Sequence, residues 1–321
     1  MAQTNTNRKQ QWFVWGTKLQ EARLLGVRAV ENIERAGGNM PGQLDLARRL
    51  DVATEAARAA GAVLQQLQGN LQDIREKRPG DLVTEADRAA ELTVLEIVQR
   101  HFPADSILAE ESGQQGNGAA TGFLWAIDPL DGTTNYAHGY PAAAVSIGLL
   151  QAGEPVLGVV YDVFRNELFR AATGMGATCN YLPICVSSTD RLENSLLVTG
   201  FAYDRRETAD NNYAEFCHFT HLTQGVRRGG SASVDLAAVA MGRLDGYWER
   251  GLSVWDIAAG IVLVREAGGS VTAYDGSPLL IESGRLLASN GSLHAAMQLE
   301  LSRVQPLQQA LPTHPTQFTS V

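Results

Sequence analysis

The stretch WAIDPLDGTTNYAHG, residues 125–139, ends an apolar run with two aspartates three positions apart, Asp128 and Asp131. Pro129 stands between them and fixes the backbone locally. Taken alone, Asp128-Pro129 reads as a turn start. Yet two carboxylates on a proline-stiffened turn can also aim at one point, with the Leu130 carbonyl as a third oxygen. Hard divalent cations such as Mg²⁺ take carboxylates, carbonyls, waters and substrate phosphate as ligands. Gly132-Thr133-Thr134 then has what a phosphate-holding helix start needs: a glycine that allows close approach and free N–H groups. The stretch is therefore a turn that can place metal between protein and phosphate.

Before this stretch the chain reads as helices. DVATEAARAAGAVLQQL, residues 51–67, places Val52, Ala56, Ala59, Val63 and Leu67 at helical spacing. Pro79-Gly80 turns the chain, a short extended piece follows, and a second helix carries Ala90, Val94, Ile97 and Val98 on one face. Thr84 and Asp87 have the spacing of a capping box at its start. After Pro103 the runs SILAEE, FLWAID, AAVSIGLLQ, PVLGVVYDV and ELFRAAT are β-rich and separated by turns, which predicts a largely antiparallel sheet. Beyond CVSSTD, strands SLLVTGF, LDGYWE and SVTAY alternate with helices NNYAEFCHFTHL, SVDLAAVAMG and WDIAAGIVLVREAGG, as in an α/β layer.

The reading divides the chain into an N-terminal extension (1–42) closed by the breakers of RAGGNMPGQ, an α+β half (43–186), an α/β half (187–304) and a Pro/Thr/Gln-rich, disordered tail (305–321). The extension is read as an appended helix or a mis-set start, with a cleaved transit segment as the alternative. Of the 321 residues, 45% are hydrophobic and 19% charged, enough for a substantial core. A net charge of −9 argues against a polynucleotide backbone as partner. Cys179, Cys185 and Cys217 form no metal or disulfide pattern and read as reduced structural thiols of a cytoplasmic protein. No run is long and apolar enough for a membrane span.

Acidic residues recur where elements end. Asp81 and Asp87 flank the second helix, Glu110-Glu111 end SILAEE, and Asp256 opens a helix after GLSVW. Singly, Asp87 and Asp256 are helix caps and Glu110 is a strand exit. Jointly with Asp128 and Asp131 they form an oxygen-rich set. The EF-hand spacing, the P-loop and the GxSxG elbow are all missing. His138, close to the motif, reads as a loop residue.

In order, GDLVTEAD, LAEES, WAIDPLDGTTNYAHGYP, GSASVDLAAVA and WDIAAGIVLVREAGG resemble the inositol monophosphatase family over roughly residues 45–300, nearest its bacterial-type branch. The resemblance implies a layered αβαβα sugar-phosphatase fold, a homodimer, and a Mg²⁺-dependent, lithium-sensitive phosphomonoesterase with two or three metal ions. By the same resemblance Glu110, Asp128 and the Leu130 carbonyl hold one ion. Asp128, Asp131 and Asp256 hold a second, and Asp87 with Glu110 helps hold a third. Thr133, paired with Asp87, orients the attacking water, and the Gly132 and Thr133 amides take the phosphate. Asp131, Glu249 and Gly230-Ser231-Ala232 contact substrate hydroxyls. The family's basic residue before DLVT has no clear register among Glu76, Lys77 and Arg78.

Glu249 after LDGYW suits a polyol hydroxyl, so inositol monophosphate is the expected substrate. Histidinol phosphate, fructose 1,6-bisphosphate and 3′-phosphoadenosine 5′-phosphate are the alternatives. A basic patch for a second phosphate is not evident in the sequence. The alternative outside enzymes is a catalytically idle, metal-binding regulatory protein.

Overall fold

The computed structural model describes residues 41–116 and 121–305. The expected extension and tail lie outside these residues except at Pro41, Gly42 and Gln305. Helix α1 (Pro41–Leu67) begins ten residues before the predicted apolar pattern, with proline in the first turn, where a missing N–H is harmless. Val52 and Ala56 are buried as predicted, together with Ala53, Ala57, Ala60 and Leu64, while Ala59, Val63 and Leu67 lie at the margin. The second half of the stripe rotates because alanines and Gly61 let the helix come close: a Cβ on Gly61 would stand 2.2 Å from the Tyr161 ring.

A two-stranded hairpin follows, β1 (Ile74–Arg78) and β2 (Asp81–Thr84), separate from both larger sheets. Helix α2 (Glu85–His101) then starts on the predicted Thr84–Asp87 box and buries Ala90, Val94, Ile97 and Val98. An eight-stranded sheet is built from β3 (Ser106–Ala109), β4 (Gly113–Gln115), β5 (Phe123–Asp131), β6 (Ala144–Gln151), β7 (Glu154–Asp162), β8 (Glu167–Ala172), β9 (Ala177–Cys179) and β10 (Leu182–Pro183). Its order is β10-β9-β8-β7-β6-β5-β3-β4, antiparallel except where β3 runs beside β5. The short helix α3 (Thr133–Ala137) follows β5, and His138 caps its C-terminal end.

A five-stranded sheet of order β12-β11-β13-β15-β14 forms the second half, from β11 (Leu196–Thr199), β12 (Gly225–Arg228), β13 (Gly246–Glu249), β14 (Ser270–Thr272) and β15 (Leu286–Ser289). Helices α4 (Tyr213–Leu222), α5 (Ala232–Ala240), α6 (Val254–Glu266) and α7 (His294–Arg303) complete the chain. The polar strand β1, strands β4, β9, β10, β12 and β15, and helix α7 have no counterpart in the sequence pattern. Helices α1 and α2 cover one face of the large sheet. Helices α5 and α6 fill the space between the two sheets, and Phe219 of α4 with Met297 of α7 and Leu293 just before it covers the outer face of the small one. The layers are αβαβα. All three cysteines are free, and only Cys179 is buried.

The register of β5 explains the opening motif. In a regular strand, residues three apart point to opposite faces. Here Asp128 pairs with Ser146 and Asp131 with Ala144, so three steps on β5 oppose two on β6. That one-residue bulge reverses the alternation and lets both carboxylates reach the same side. Pro129, with no ladder N–H to lose, suits the bulge.

Helix α6 lies almost against the backbone of the large sheet. A Cβ on Gly158 would fall 2.2 Å from the Ala259 carbonyl oxygen, and one on Gly148 2.5 Å from the Ala258 Cβ. Gly158→Ala is therefore expected to destabilise the fold by about 3 kcal/mol, the upper range for overpacking, because backbone must move. The denaturant midpoint measures this, and a shift worth less than about 0.5 kcal/mol would contradict the packing.

Candidate active site

A cleft of about 260 Å³ opens where the two sheets meet, lined by the ends of β5, β13 and α6, the hairpin, and the loops after β11 and β12. Glu110, Asp128, Leu130, Asp131, Gly132, Thr133, Gly230, Ser231, Ala232, Glu249 and Asp256 all line it. Asp87 stands behind the wall and reaches the site through Thr133, whose hydroxyl donates to its Oδ1 at 2.8 Å.

Each carboxylate is held by one oxygen. Asp128 Oδ1 accepts the Leu130 amide at 2.9 Å. Asp131 Oδ2 accepts the Ser231 hydroxyl, the Ser233 amide and the Ser233 hydroxyl at 2.6–2.7 Å. Asp256 Oδ2 accepts the Ser253 amide at 2.7 Å, and Asp87 Oδ2 accepts the amide and hydroxyl of Thr84 at 2.8 and 2.6 Å. Asp87 and Asp256 are thus the third-position acids of capping boxes whose cap residues are Thr84 and Ser253, and that bond fixes where the other oxygen points. The capping reading of these two residues holds.

Burial is the first cause raising the pKa of Asp87, Glu110, Asp128, Asp131 and Asp256. Mutual repulsion adds to it at Asp128, from Glu110, Asp131 and Asp256, and at Asp256, chiefly from Asp131. Glu110 is pushed up to about 7 despite the opposing charge of Lys77. So many buried anions cannot all ionise without added positive charge. Their all-oxygen chemistry fits a hard divalent cation. Among the described residues no three acidic, His or Cys side chains close into a ready metal group. The oxygens face a shared cleft, with Lys77 and the caps occupying part of the set.

The far side of the cleft is shaped for another group. Glu249 is buried, accepts the Tyr247 hydroxyl at 2.6 Å and is raised to about 7 by burial. A Cβ on Gly200 would lie 2.1 Å from its carboxylate, so the residue there must be glycine. Gly132 sits at φ +89°, with a would-be Cβ 2.8 Å from the Ala142 carbonyl, which again demands glycine beside the start of α3. The Leu130 carbonyl lies 3.0 Å from the Thr133 hydroxyl and keeps a second lone pair.

Several lining residues escaped the sequence. Lys77 is the basic residue whose register was open: its Nζ lies 2.9 Å from Glu110 Oε1 and 2.5 Å from Glu111 Oε1. Glu76 instead accepts the Gly80 amide, and Arg78 pairs with Asp81 and lies over the Tyr203 ring. Lys77, Arg78 and Arg228 together give the cleft a basic rim that the sequence does not reveal, because they come from two polar segments far apart in the chain. Asp235, buried on α5 and raised well above the usual carboxylate range by burial, was also missed. It stands in the first turn of α5, a helix-start position like those of Asp87 and Asp256 that could have flagged it. Ser233, clamping Asp131, could have been found from the small polar residues of GSAS at a helix start.

A family model described as the inositol monophosphatase family matches residues 45–306. The inositol-1-monophosphatase of Synechocystis sp. is 61% identical over 275 residues, covering 85% of this chain and 92% of that protein. The Nus factor SuhB of Pseudomonas aeruginosa is 42% identical over 262 residues, covering 80% and 96%. Among solved structures, the inositol monophosphatase from Anabaena (Nostoc) sp. PCC 7120 matches with a TM-score of 0.76 at 63% identity, over 82% of this chain and 98% of that one. Together with the αβαβα layers and the acidic cleft at their junction, these matches place the chain in the inositol monophosphatase family.

Proposed function

We propose that the chain is a Mg²⁺-dependent phosphomonoester hydrolase that acts on inositol monophosphate, releasing inositol and phosphate. The observation carrying this reading is the cleft itself, where buried carboxylates from β5, α6 and the β3 exit face Gly132-Thr133 and the Thr133–Asp87 hydrogen bond. The Synechocystis relative's name supports the choice of substrate.

Glu110, Asp128 and the Leu130 carbonyl would hold one ion, Asp128, Asp131 and Asp256 a second, and Asp87 with Glu110 a third. When bound, Mg²⁺ supplies positive charge to the phosphate oxygens and makes nearby water more acidic. The chain's own groups do the positioning, which is most of the catalysis in phosphoryl transfer. Thr133, donating to Asp87, turns a lone pair toward the cleft and can accept a proton from the attacking water. The backbone at Gly132 allows the phosphate to approach the first amides of α3, which have no carbonyl partner within the helix. Glu249 accepts hydrogen bonds from ring hydroxyls at the far side, and the Gly230-Ser231-Ala232 loop fits the same face. The proposal includes a cytoplasmic homodimer, checked by sedimentation and fractionation; no helix among the described residues is long and apolar enough to cross a membrane.

The second reading is a catalytically idle, metal-binding regulatory protein, and the Pseudomonas relative's name, Nus factor, supports only its regulatory part. Phosphate release from inositol 1-phosphate, histidinol phosphate, fructose 1,6-bisphosphate and 3′-phosphoadenosine 5′-phosphate, with and without a chelator, separates the two. Release that ignores the chelator, or none from any ester, would sink the enzyme reading.

Thr133→Val, which keeps the shape but not the hydroxyl, is expected to lower kcat about 10²–10³-fold, and Thr133→Ser to stay within about tenfold of the parent. Equal kcat for Val and Ser would remove Thr133 from the chemistry. Asp131→Asn should abolish turnover while the circular dichroism spectrum stays native, since an amide oxygen can still accept from Ser231 and Ser233. Near-normal activity in Mg²⁺ would refute the metal assignment.

The raised carboxyls also set a sign for stability. A folded pKa above the unfolded one means that the native state binds more protons, so its stability falls as pH rises. The window runs from the ordinary carboxylate range near 4 up to about 7, the value for Glu110 and Glu249. With chelator present, Tm is expected to drop by roughly 3–6 °C from pH 5.5 to pH 8, and Mg²⁺ to recover most of that drop at pH 8. A chelated protein more stable at pH 8 would contradict the assigned burial.

A further inference from the structure

Loop 200–212, between β11 and α4, walls the cleft beside Glu249, with Gly200, Phe201, Ala202 and Tyr203 in the lining. Its base is fixed by one side-chain amide. Asn212, at φ +67°, donates Nδ2 to the Gly200 carbonyl at 2.6 Å and accepts Trp248 Nε1 at 2.7 Å, so the loop returns onto both β11 and β13. The wall also interlocks with the exit of β13. Gly200 leaves room for the Glu249 carboxylate, and a Cβ on Gly251 would lie 2.5 Å from the Ala202 Cβ. Over residues 203–210, the outer edge of the loop, no residue is buried, so apolar packing contributes little to its position.

Arg250 takes that task. Glu249 ends β13 at the cleft, and the next side chain turns away from it onto the outer edge of the loop. The Arg250 guanidinium holds both Asp204 carboxylate oxygens, at 2.7 and 3.2 Å, with Nε 3.6 Å from Asp210 Oδ1. Asp210 pairs in turn with Arg285, just before β15, whose guanidinium lies 4.9 Å from the centre of the Tyr274 ring. Arg250 is only 12% exposed, whereas Asp204 and Asp210 are about half exposed, so a sheltered planar fork meets two carboxylates of the loop. A bidentate pair of this kind fixes direction as well as distance. We infer that Arg250 is a positioning residue for substrate selection: by clamping Asp204 and Asp210 it holds the 201–203 wall against Glu249 at the spacing a polyol ring needs. The inference rests on the proposed phosphomonoesterase, with Glu249 on the ring hydroxyls. Thr133 and the acidic set stand at the other end of the cleft, so the clamp acts on the alcohol part of the ester and not on the phosphorus.

Arg250→Met, Arg250→Lys, Asp204→Asn and the double variant Arg250→Met/Asp204→Asn are assayed in Mg²⁺ on two esters. One is inositol 1-phosphate; the other is 4-nitrophenyl phosphate, which has no hydroxyl for Glu249. Arg250→Met is expected to raise KM for inositol 1-phosphate about tenfold with kcat within about threefold of the parent, the mark of binding lost equally from ground and transition states. KM for 4-nitrophenyl phosphate should stay within about twofold of the parent. Arg250→Lys, which keeps the charge without the fork, should recover part of the loss. Asp204→Asn should show the same split between KM and kcat, and the double variant should be no worse than Arg250→Met, because the two residues act through one contact. Asp204 is half exposed, so its variant carries the test if Arg250→Met does not fold. An unchanged inositol 1-phosphate KM in a folded single variant, an equal rise for both esters, or a fall in kcat alone overturns the positioning role. A parent chain that releases phosphate from neither ester overturns the phosphatase reading, and the inference with it.

Discussion

One extra residue in β5 governs the cleft. Without the bulge between Asp128 and Asp131 the strand would send one carboxylate into the α1–α2 layer and the other toward α5–α6. Both would then be buried acids with nothing to share. With the bulge, Asp131 meets Ser231 and Ser233 at the start of α5, and Asp128 meets the charge of Asp256 at the start of α6. The two halves of the chain are joined at this point by polar contacts rather than by apolar packing alone. Proline at the second position is compatible with the bulge because no ladder hydrogen bond is asked of it.

Packing elsewhere serves that junction. Gly148 and Gly158 let α6 settle onto the large sheet, which brings its first turn, and so Asp256, to the end of β5. Gly200 leaves room for the Glu249 carboxylate, and Gly132 turns the chain out of the strand within one residue. These glycines act by what they lack. A methyl group at any of them would push a backbone or a carboxylate out of the space it occupies.

The sequence was most legible where chemistry and local structure coincide. The carboxylates stand at element ends, and the Thr84–Asp87 box announces its helix. The long apolar strands and the helices flanking them were visible as patterns for the same reason. Legibility failed where a role depends on distance across the fold. Lys77 lies in the polar run IREKR, whose pairing with β2 carries no apolar alternation, so neither the strand nor the lysine's target could be read. The first half of the α1 stripe, Val52 and Ala56, is buried as read, and only its second half was misplaced, because a face made of alanine and glycine has almost no hydrophobic contrast. Asp235 stands in the first turn of an otherwise apolar helix, and only the packed structure shows that its carboxyl faces Gly229.

Asp87 and Asp256 have a consequence for anyone who would redesign this cleft. Each uses one oxygen to start a helix and presents the other side of its carboxyl group to the site. Losing such a cap typically costs about 1 kcal/mol. Substituting either residue by a neutral, non-capping one would therefore alter two properties at once, and a drop in yield would be confounded with a drop in rate. Asn, which keeps an accepting oxygen while discarding the charge, is the replacement that uncouples them. Transplanting this acid set to another scaffold would require transplanting two helix beginnings with it.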